Sequence, residues 1–330
     1  MRCTDNRRYR LAAIAAAGML LFCSCGSKTY ELEHPYDVYG TQIHYESLQP
    51  EGETATDSLS YFAKDLCTAE DVSISIPAAL DSAAQAAGVF HLNEQTVTYS
   101  KNIYKKLYPA STTKILTAYT ALKHANLTDI VTVSAQAANQ AGDSSVCGLK
   151  AGDSLSLEEL LYGLLLESGN DAAVAIAEHV SGSSEAFASL MNEEAAALGA
   201  THSHFSNPHG LHDDEHYTCV YDLYLMLNAA LQDEKFQTIV SAHSHHAVYK
   251  DAGGNQVTQE WETTDKFLNG EVNPPDGVRV IGGKTGTTNA AGYCLALYSQ
   301  NAAGEPVISI VLKADSSENL YGLMGELMQR

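Results

Sequence analysis

Short strand-like runs stand at both ends of the globular part of the chain. Near its start, Gln85 to His91 and Gln95 to Ser100 are such runs, and the polar residues between them suit a hairpin loop. Near its end, three more segments of this kind follow one another: Arg279 to Thr285, Gly292 to Ser299 and Pro306 to Lys313. A final helix is predicted from about Ser317 to Met328.

Between these strands the apolar residues recur three or four positions apart, which predicts helices. One helix is predicted to start near Ser111, since the residues after it with helical spacing are Ile115, Leu116, Tyr119 and Leu122. Four more are predicted at Leu155 to Leu166, Asp171 to Val180, Ser184 to Leu198 and Cys219 to Leu231. Strands therefore flank a helical insert, and they must meet in one sheet.

Composition and charge narrow the class of protein. The chain has 330 residues, of which 45% are hydrophobic and 18% charged, so it can bury a full core and is neither disordered nor fibrous. Its formal net charge is −21. Because phosphate binding needs clustered cations, we expect no nucleic-acid partner.

The first residues read as an export signal with a lipid-attachment site. Residues 1–24 start with arginines and continue into the apolar stretch Leu11 to Cys23, which is too short to span a bilayer. The segment from Phe22 to Ser27 resembles the bacterial lipoprotein box and makes Cys25 the expected lipidated residue. An ordinary cleaved leader is the alternative. Residues 25–70, which begin with this cysteine, then form a polar spacer, and residues 71–330 have the composition of a globular domain. This organisation predicts an exported protein, anchored by its lipid to the extracytoplasmic face of a bacterial cell membrane.

Four cysteines lie beyond the leader and are widely spaced: Cys67, Cys147, Cys219 and Cys294. None belongs to a C-x-x-C pair that would indicate zinc or redox chemistry. We expect buried free thiols, although an exported chain could oxidise them.

The segment Ser111-Thr112-Thr113-Lys114 has the pattern of an activated nucleophile. Positions i and i+3 of a helix share a face, which puts the amine of Lys114 beside the hydroxyl of Ser111. A desolvated lysine can accept the proton of a serine that attacks a carbonyl, and the helix N-terminus favours the developing oxyanion. The alternative is a capping serine followed by a solvent-facing lysine.

Two further motifs carry polar groups of complementary chemistry. Ser168-Gly169-Asn170 lies between two predicted helices, where its hydroxyl can relay a proton and its amide can bind a substrate backbone. Lys284-Thr285-Gly286-Thr287 ends a predicted strand. There the lysine supplies positive potential, the two threonines can donate to a carboxylate, and Gly286 lets a substrate strand approach the backbone.

In this order the three motifs match a signature whose parts converge on one cleft. The chain resembles the penicillin-recognising serine D-Ala-D-Ala carboxypeptidases, the low-molecular-mass penicillin-binding proteins. The resemblance covers about residues 80–329, and the stretches that carry it are Pro109 to Lys114, Leu165 to Ala173, Phe205 to Leu211 and Lys284 to Tyr293. It implies an α/β fold with an antiparallel sheet, from residues 80–110 and 275–330, flanked by helices and joined to an all-α lobe at about 125–240.

The same resemblance implies a role for each matching residue. Ser111 would be the acylated nucleophile, Lys114 its base and Ser168 a proton relay. Asn170, Lys284, Thr285, Gly286 and Thr287 would bind the substrate, and the backbone N–H groups of Ser111 and Thr287 would form the oxyanion hole. The implied reaction removes the terminal D-alanine of a peptidoglycan stem peptide without metal or organic cofactor, and β-lactams would block it.

Two departures from the family pattern bear on this expectation. Members often carry an arginine just after the last strand that binds the substrate carboxylate, but Asp315 to Leu320 contains none. Carboxylate binding would then fall to Lys284, Thr285 and Thr287. Many relatives also have a C-terminal β-rich domain and an anchor helix, which we do not find after this domain, so the N-terminal lipid would replace the anchor.

Alternatives from other classes stay open on the sequence alone. A β-lactamase or a D,D-endopeptidase could use the same fold, although we find no clear Glu-x-x-Leu-Asn-type stretch of the class A β-lactamases. A non-catalytic wall-binding or β-lactam-sensing lipoprotein would not need all of these polar residues. A zinc peptidase is a weaker alternative, suggested by His202, His204, His209, His212 and His216 with Asp213 and Asp214. His243, His245 and His246 are expected at the surface.

Overall fold

The computed structural model describes residues 65–68, 82–142 and 144–330. The predicted leader, Cys25 and most of the predicted spacer lie outside these residues. No helix in the described ranges has the length and apolar character needed to cross a bilayer.

The described residues contain nine strands and eight α-helices. In chain order the strands are β1 (Ala84–His91), β2 (Thr96–Lys101), β3 (Ile130–Thr132), β4 (Ser154–Ser156), β5 (Ser244–Lys250), β6 (Gln256–Glu262), β7 (Arg279–Thr288), β8 (Gly292–Gln300) and β9 (Pro306–Ala314). The helices are α1 (Lys114–His124), α2 (Ala135–Ala138), α3 (Leu157–Leu165), α4 (Asn170–Ser181), α5 (Ser184–Ala197), α6 (Val220–Ala230), α7 (Glu234–Val240) and α8 (Ser317–Leu327).

The main sheet joins strands from both ends of the domain, as the sequence predicts. Its order is β2-β1-β9-β8-β7, and every neighbouring pair is antiparallel. The central strand β9 is apolar on both faces, because Val307 and Val311 pack towards α8 while Ile308 and Ile310 pack towards the other helices. On that second face Phe90 stacks on Tyr224 of α6, with ring centroids 4.1 Å apart. The antiparallel sheet flanked by helices confirms the predicted fold class.

The helix α1 lies in the middle of the helical region. It packs against α3, α4, α5, α6 and α7. Seven of its residues are buried, among them Lys114, Thr117 and Thr120. A helix that is buried on nearly all sides holds its first turn in a fixed position. The start of α1 is therefore a rigid place for a reactive side chain.

A second antiparallel sheet, in the order β3-β4-β5-β6, joins the helical region and is not predicted by the sequence. Two of its strands lie inside residues 125–240, so this lobe is not purely helical. The predicted helix at Leu155 is wrong by two residues, since Leu155 and Ser156 belong to β4 and the Ser156 hydroxyl caps α3 through the backbone N–H of Glu159. Short strands of three residues carry too little alternation to be recognised.

The four cysteines beyond the predicted leader are buried free thiols, as expected from the sequence: Cys67, Cys147, Cys219 and Cys294. Of the three expected surface histidines, His243 and His246 are exposed. His245 is only partly exposed, because it stacks on Tyr162 with ring centroids 3.6 Å apart and hydrogen-bonds Glu159.

Candidate active site

Ser111 lies in a short 3-10 turn, Ala110–Thr113, directly before α1. Two threonine hydroxyls fasten this turn: Thr112 Oγ1 donates to Pro109 O and Thr113 Oγ1 to Ala110 O, each at 2.8 Å. Ala110 has a φ of +48°, a left-handed conformation that is costly for a residue with a side chain. The hydrogen bonds of the two threonines hold this turn, with the strained Ala110 directly before Ser111.

Three oxygen atoms surround the amine of Lys114. Its Nζ lies 3.0 Å from Ser111 Oγ, 2.7 Å from Asn170 Oδ1 and 2.8 Å from the backbone oxygen of His209. Lys114 is completely buried. The predicted i, i+3 contact between Lys114 and Ser111 is therefore present, and the capping serine with a solvent-facing lysine is excluded.

The environment of Lys114 favours the neutral amine. Burial is the main cause that lowers its pKa well below the usual range, and the positive charge of Lys284 lowers it further. The oxygens of Asn170 and His209 can only accept hydrogen bonds, so they fix two N–H groups of Lys114. The third position of the amine faces Ser111 Oγ, where it holds a proton when charged and a lone pair when neutral. This arrangement can take a proton from Ser111.

The second motif forms a tight turn between α3 and α4. Ser168 has a φ of +60°, and Asn170 is the first residue of α4. A Cβ on Gly169 would come within 2.3 Å of Cys147 Sγ, so this position has room only for glycine. Ser168 and Asn170 are only 4% and 3% exposed, and both side chains line cavities next to Ser111.

A buried carboxylate beside this motif fixes a loop that the sequence analysis did not single out. Asp171 accepts hydrogen bonds from the backbone N–H groups of Cys147 and Leu149, at 2.9 and 3.0 Å. The backbone N–H of Asn170 also donates to Ser145 O, at 2.9 Å. These bonds place Ser145 at the mouth of the site, where it lines the same cavities as Ser111.

The third motif lies within β7 and not at its end, because the strand continues to Thr288. Gly286 packs against the turn that carries Ser111: a Cβ there would lie 2.8 Å from Ser111 N. The strand and the nucleophile can approach this closely only if this residue has no side chain. The structure thus gives Gly286 a different purpose from the predicted one, which was room for a substrate strand.

Lys284 is buried below the surface of the cleft, with 1% of its area exposed. Its Nζ donates to the backbone oxygen of Thr285 at 3.0 Å, and the Thr285 hydroxyl contacts that of Thr264 at 2.6 Å. Burial lowers the pKa of Lys284 to about 7. The buried carboxyl of Asp265 acts in the opposite direction, because its negative charge favours the charged lysine. The pKa of Asp265 is itself raised to about 6, chiefly by burial. Asp265 and Thr264 lie outside every motif that the sequence suggested.

Ser111 stands where two cavities meet. The Asn170 cavity, about 490 Å³, is lined by Ser111, Ser145, Asn170 and Thr287 among others. The Ser168 cavity, about 410 Å³, also borders on Ser111, Ser145 and Thr287, and in addition on Ser168, Thr285 and Gly286. Seven of the eight predicted cleft residues thus surround one space or contact Ser111, and Lys284 lies directly behind Thr285. We call the two cavities together the cleft.

The loop of residues 205–216 borders the cleft on the helical side. The sequence analysis connected its first part, Phe205 to Leu211, with the family resemblance and its histidines with the zinc alternative. A Cβ on Gly210 would lie 1.9 Å from Ala110 O, and its φ of +89° also requires glycine. His216 Nε2 lies 2.8 Å from Thr113 Oγ1, and the backbone N–H of Ser206 donates to its Nδ1. Burial lowers the pKa of His216 to about 4, so the ring is neutral and Nε2 donates to Thr113.

The histidines of the zinc alternative do not converge on one point. Among the described residues, the group whose ligand atoms lie within 4.8 Å of each other is His202, Cys219 and Asp222. Asp222 in this group accepts hydrogen bonds from the backbone N–H of His202 and the hydroxyl of Ser203, both at 2.7 Å. His209 and His216 instead belong to the surroundings of Ser111 and Lys114.

Comparisons with known proteins agree with this geometry. Residues 73–316 match the peptidase family S11, D-alanyl-D-alanine carboxypeptidase. The D-alanyl-D-alanine carboxypeptidase DacF of Bacillus subtilis is 33% identical over 64% of this chain and 53% of its own length. The carboxypeptidase DacC of Escherichia coli is 36% identical over 64% of this chain and 52% of its own length. The chain thus spans about half the length of these two relatives.

A relative from Streptomyces is covered more fully. The D-alanyl-D-alanine carboxypeptidase of strain K15 is 32% identical over 70% of this chain and 81% of its own length. The crystal structure of the Streptomyces K15 DD-transpeptidase superimposes with a TM-score of 0.70 at 28% identity, covering 78% of this chain and 97% of that one. The family match spans most of the chain and includes every residue of the cleft named above. The chain belongs to the D-alanyl-D-alanine carboxypeptidase family of serine peptidases.

Proposed function

We propose that this protein removes the C-terminal D-alanine from peptidoglycan stem peptides through an acyl-enzyme on Ser111. The observation that carries this proposal is the contact of Lys114 Nζ with Ser111 Oγ at 3.0 Å, with the other two hydrogen-bonding positions of the amine held by Asn170 and His209. A neutral Lys114 takes the Ser111 proton while Oγ attacks the carbonyl of the penultimate D-alanine. Family membership supports the same reaction.

The remaining predicted residues act on the two ends of the scissile bond. The backbone N–H groups of Ser111 and Thr287 stabilise the oxyanion, and Asn170 holds the substrate backbone. Ser168 lines the cavity on the side of the leaving group, where its hydroxyl passes the proton to the departing amine. Water then hydrolyses the ester with Lys114 as its base, which frees Ser111.

The terminal carboxylate of the substrate binds at Thr285 and Thr287, in the positive potential of Lys284. The described part of the chain holds two arginines, Arg279 and Arg330, and neither lines the cleft. The buried lysine behind Thr285 is therefore the nearest cationic group on β7 for a carboxylate in this position. β-Lactams carry a comparable carboxylate next to a reactive carbonyl, so they acylate the same hydroxyl and act as inhibitors.

Release of D-alanine from a synthetic pentapeptide stem tests the proposal. Full-length protein in detergent should release D-alanine, Ser111→Ala should not, and Ser189→Ala, an exposed serine on α5, should match the wild type. Unchanged release by Ser111→Ala, or none by the wild type, would disprove the proposed reaction.

We further propose that the protein is exported and anchored by a lipid on Cys25 at the extracytoplasmic face of the membrane. The basic and apolar leader and the lipoprotein-like box support this placement. The substrate is itself a component of the cell wall. Radiolabelled fatty acid should label the wild type in bacterial cells and fail to label Cys25→Ala, whereas equal labelling of both would exclude Cys25 as the lipidated residue.

A further inference from the structure

Three side chains with metal-ligating atoms meet at the start of α6, outside the cleft. They are His202, Cys219 and Asp222, and one ligand atom from each lies within 4.8 Å of the other two. None of these three residues lines either cavity of the cleft. The reaction proposed above therefore gives them no role.

The carboxylate of Asp222 is satisfied on one oxygen only. Asp222 is fully buried, and its Oδ2 accepts hydrogen bonds from the backbone N–H of His202 and the hydroxyl of Ser203, both at 2.7 Å. Within the described part of the chain, Oδ1 has no hydrogen-bond partner, and it lies 3.8 Å from His202 Nδ1. A buried carboxylate oxygen in this state is costly, and a cation beside it would remove the cost.

The spacing of the ligand atoms suits a metal ion of the size of zinc. Zinc binds imidazole nitrogen and carboxylate oxygen at about 2.0–2.2 Å and thiolate sulfur at about 2.3 Å. Two ligand atoms on one tetrahedral zinc ion are therefore roughly 3.3–3.7 Å apart. The distance of 3.8 Å between His202 Nδ1 and Asp222 Oδ1 is close to this range. A small rotation of the partly exposed His202 ring would bring the two atoms into it.

The chemistry of the three ligands favours Zn²⁺ over hard cations. Thiolate sulfur and imidazole select zinc and related transition metals, whereas Mg²⁺ and Ca²⁺ take oxygen ligands. Burial raises the pKa of the Cys219 thiol, but a coordinating cation displaces the thiol proton, which passes to the solvent. The side chain of His202 is 47% exposed, which leaves a fourth position on the metal open to water.

We propose that His202, Cys219 and Asp222 together bind one Zn²⁺ ion. The ion stabilises the fold and takes no part in the chemistry at Ser111, which distinguishes it from the catalytic metal of a zinc peptidase. Because its fourth ligand is water and one of its protein ligands is half exposed, the ion exchanges with the surroundings. Occupancy of the site then follows the concentration of free zinc.

The proposed ion would join the two ends of the loop of residues 205–216, which borders the cleft. His202 precedes this loop and Cys219 follows it. The same two ends are paired by backbone hydrogen bonds between His204 and Tyr217, at 2.8 and 2.9 Å. A metal ion that links distant positions of the chain restricts the unfolded state and binds only the folded one. We therefore expect Zn²⁺ to raise the melting temperature.

Two substitutions remove a ligand and keep the support of the fold. Cys219 Sγ caps α6 by accepting a hydrogen bond from the backbone N–H of Asp222, and a serine hydroxyl is also an effective cap. Cys219→Ser thus removes the sulfur ligand and retains the cap. His202→Asn removes an imidazole that is half exposed. The matched controls are Cys67→Ser, at another buried thiol, and His246→Asn, at another histidine beside a carboxylate.

The experiment strips the full-length protein in detergent with a chelator and titrates it with Zn²⁺ alone or with Co²⁺ alone. We expect the wild type and both controls to bind one Zn²⁺ per chain, to melt at a higher temperature, and to show a thiolate-to-cobalt charge-transfer absorption. Cys219→Ser should lose this absorption. Both ligand variants should bind Zn²⁺ at least ten-fold more weakly, since even the loss of a ligand's hydrogen-bond partner costs roughly 10–100-fold in affinity. Mg²⁺ and Ca²⁺ should leave the melting temperature unchanged.

Four results would overturn the site. They are no stoichiometric Zn²⁺ binding by the wild type, a cobalt absorption that persists in Cys219→Ser, wild-type Zn²⁺ affinity in either ligand variant, and an equal rise in melting temperature with Ca²⁺. Circular dichroism and melting without metal verify that each variant is folded, and the cobalt absorption of the wild type needs no variant. D-alanine release does not enter the test, so the site and the proposed reaction can fail independently.

Discussion

Lys114 on α1 and Lys284 on β7 are both buried lysines beside the cleft, and they differ in the number of oxygen atoms that surround the amine. Lys114 has three, from Ser111, Asn170 and the backbone of His209. Lys284 donates to the backbone oxygen of Thr285, at 3.0 Å. Burial lowers the pKa of both side chains, well below the usual range for Lys114 and to about 7 for Lys284.

Because of this difference, Lys114 and Lys284 are expected to have different roles in the reaction. The hydrogen bonds of Lys114 are all made within the protein, and one of them leads to the nucleophile, so its useful property is the transfer of a proton. Lys284 makes fewer bonds and has the carboxyl of Asp265 near it to favour its charge. Its useful property is a positive potential at Thr285. The charge of Lys284 also lowers the pKa of Lys114, so the two walls of the cleft are coupled.

The largest effect is expected from Lys114→Met. This change removes the base and should slow acylation by penicillin about 10²- to 10⁴-fold, the usual contribution of general acid–base catalysis. It also leaves the oxygens of Asn170 and His209 without their donor, so some loss of melting temperature is expected. Stopped-flow measurement of the acylation rate constant at saturating penicillin tests this prediction. An acylation rate within three-fold of the wild-type rate would show that Lys114 is not the base.

Lys284→Met should act on binding more than on chemistry. A charge-assisted interaction contributes about 1.5–3 kcal/mol, so we expect kcat/KM for the stem peptide to fall roughly 10- to 100-fold, mainly through KM. If kcat falls as strongly as with Lys114→Met while KM stays constant, the two lysines do not divide the work as proposed.

Asp265→Asn tests what keeps Lys284 charged. Lys284 attracts a carboxylate only while protonated, so substrate binding weakens as the pH rises through its pKa of about 7. Loss of the Asp265 charge lowers that pKa, moves this limb of the pH profile to lower pH and reduces kcat/KM at pH 8 by roughly three- to ten-fold. Asp276→Asn, at an exposed position, is the matched control and should leave the profile unchanged.

The same variant has a stability signature of defined sign. The pKa of Asp265 is raised in the folded state to about 6, so the unfolded chain ionises first and wild-type stability falls as the pH rises from about 4 to 6. Asp265→Asn has no carboxyl at this position and should lack this loss. The free energy of unfolding of the variant, compared with that of the wild type, should therefore be higher at pH 7 than at pH 4. A parallel pH dependence of unfolding in both proteins would contradict the buried, protonatable state of Asp265.

The smallest effect on activity is expected from substitution of His216, which contacts Thr113 on the side of the turn away from the cleft. The main effect of this substitution should be on stability. Its pKa of about 4 in the folded state lies below that of a free histidine, so the unfolded chain binds the proton first. The free energy of unfolding should fall by about 1–3 kcal/mol between pH 6.5 and 4 on account of this residue. Urea unfolding of His216→Asn should show a weaker acid loss, whereas exposed His246→Asn should behave as wild type.

The strands, the helices and the cleft were within reach of sequence reasoning for identifiable physical reasons. Strand β9 is apolar along most of its length, and the helices have regular apolar spacing, so both are readable from periodicity. Ser111, Lys114, Ser168 and Asn170 lie in short motifs whose spacing within a helix or turn fixes their geometry. Local spacing therefore predicts local contacts.

The parts that escaped prediction depend on distant segments. Asp265 and Lys284 are close only because the loop after β6 packs against β7, and no spacing in the sequence indicates this. The purpose of Gly286 and Gly210 is visible only when the turn of Ser111 lies against them. The hairpin β5–β6 has polar residues on its outer face and few apolar ones, which leaves its alternation too weak to recognise.

The central claim is that Ser111 is the residue that forms the acyl-enzyme. Intact-protein mass spectrometry of the full-length protein after incubation with penicillin tests it most directly, followed by peptide mapping of the adduct. The account predicts one penicilloyl group per chain, located on Ser111 and missing from Ser111→Ala. An adduct that persists in Ser111→Ala, or no adduct on the wild type, would contradict it.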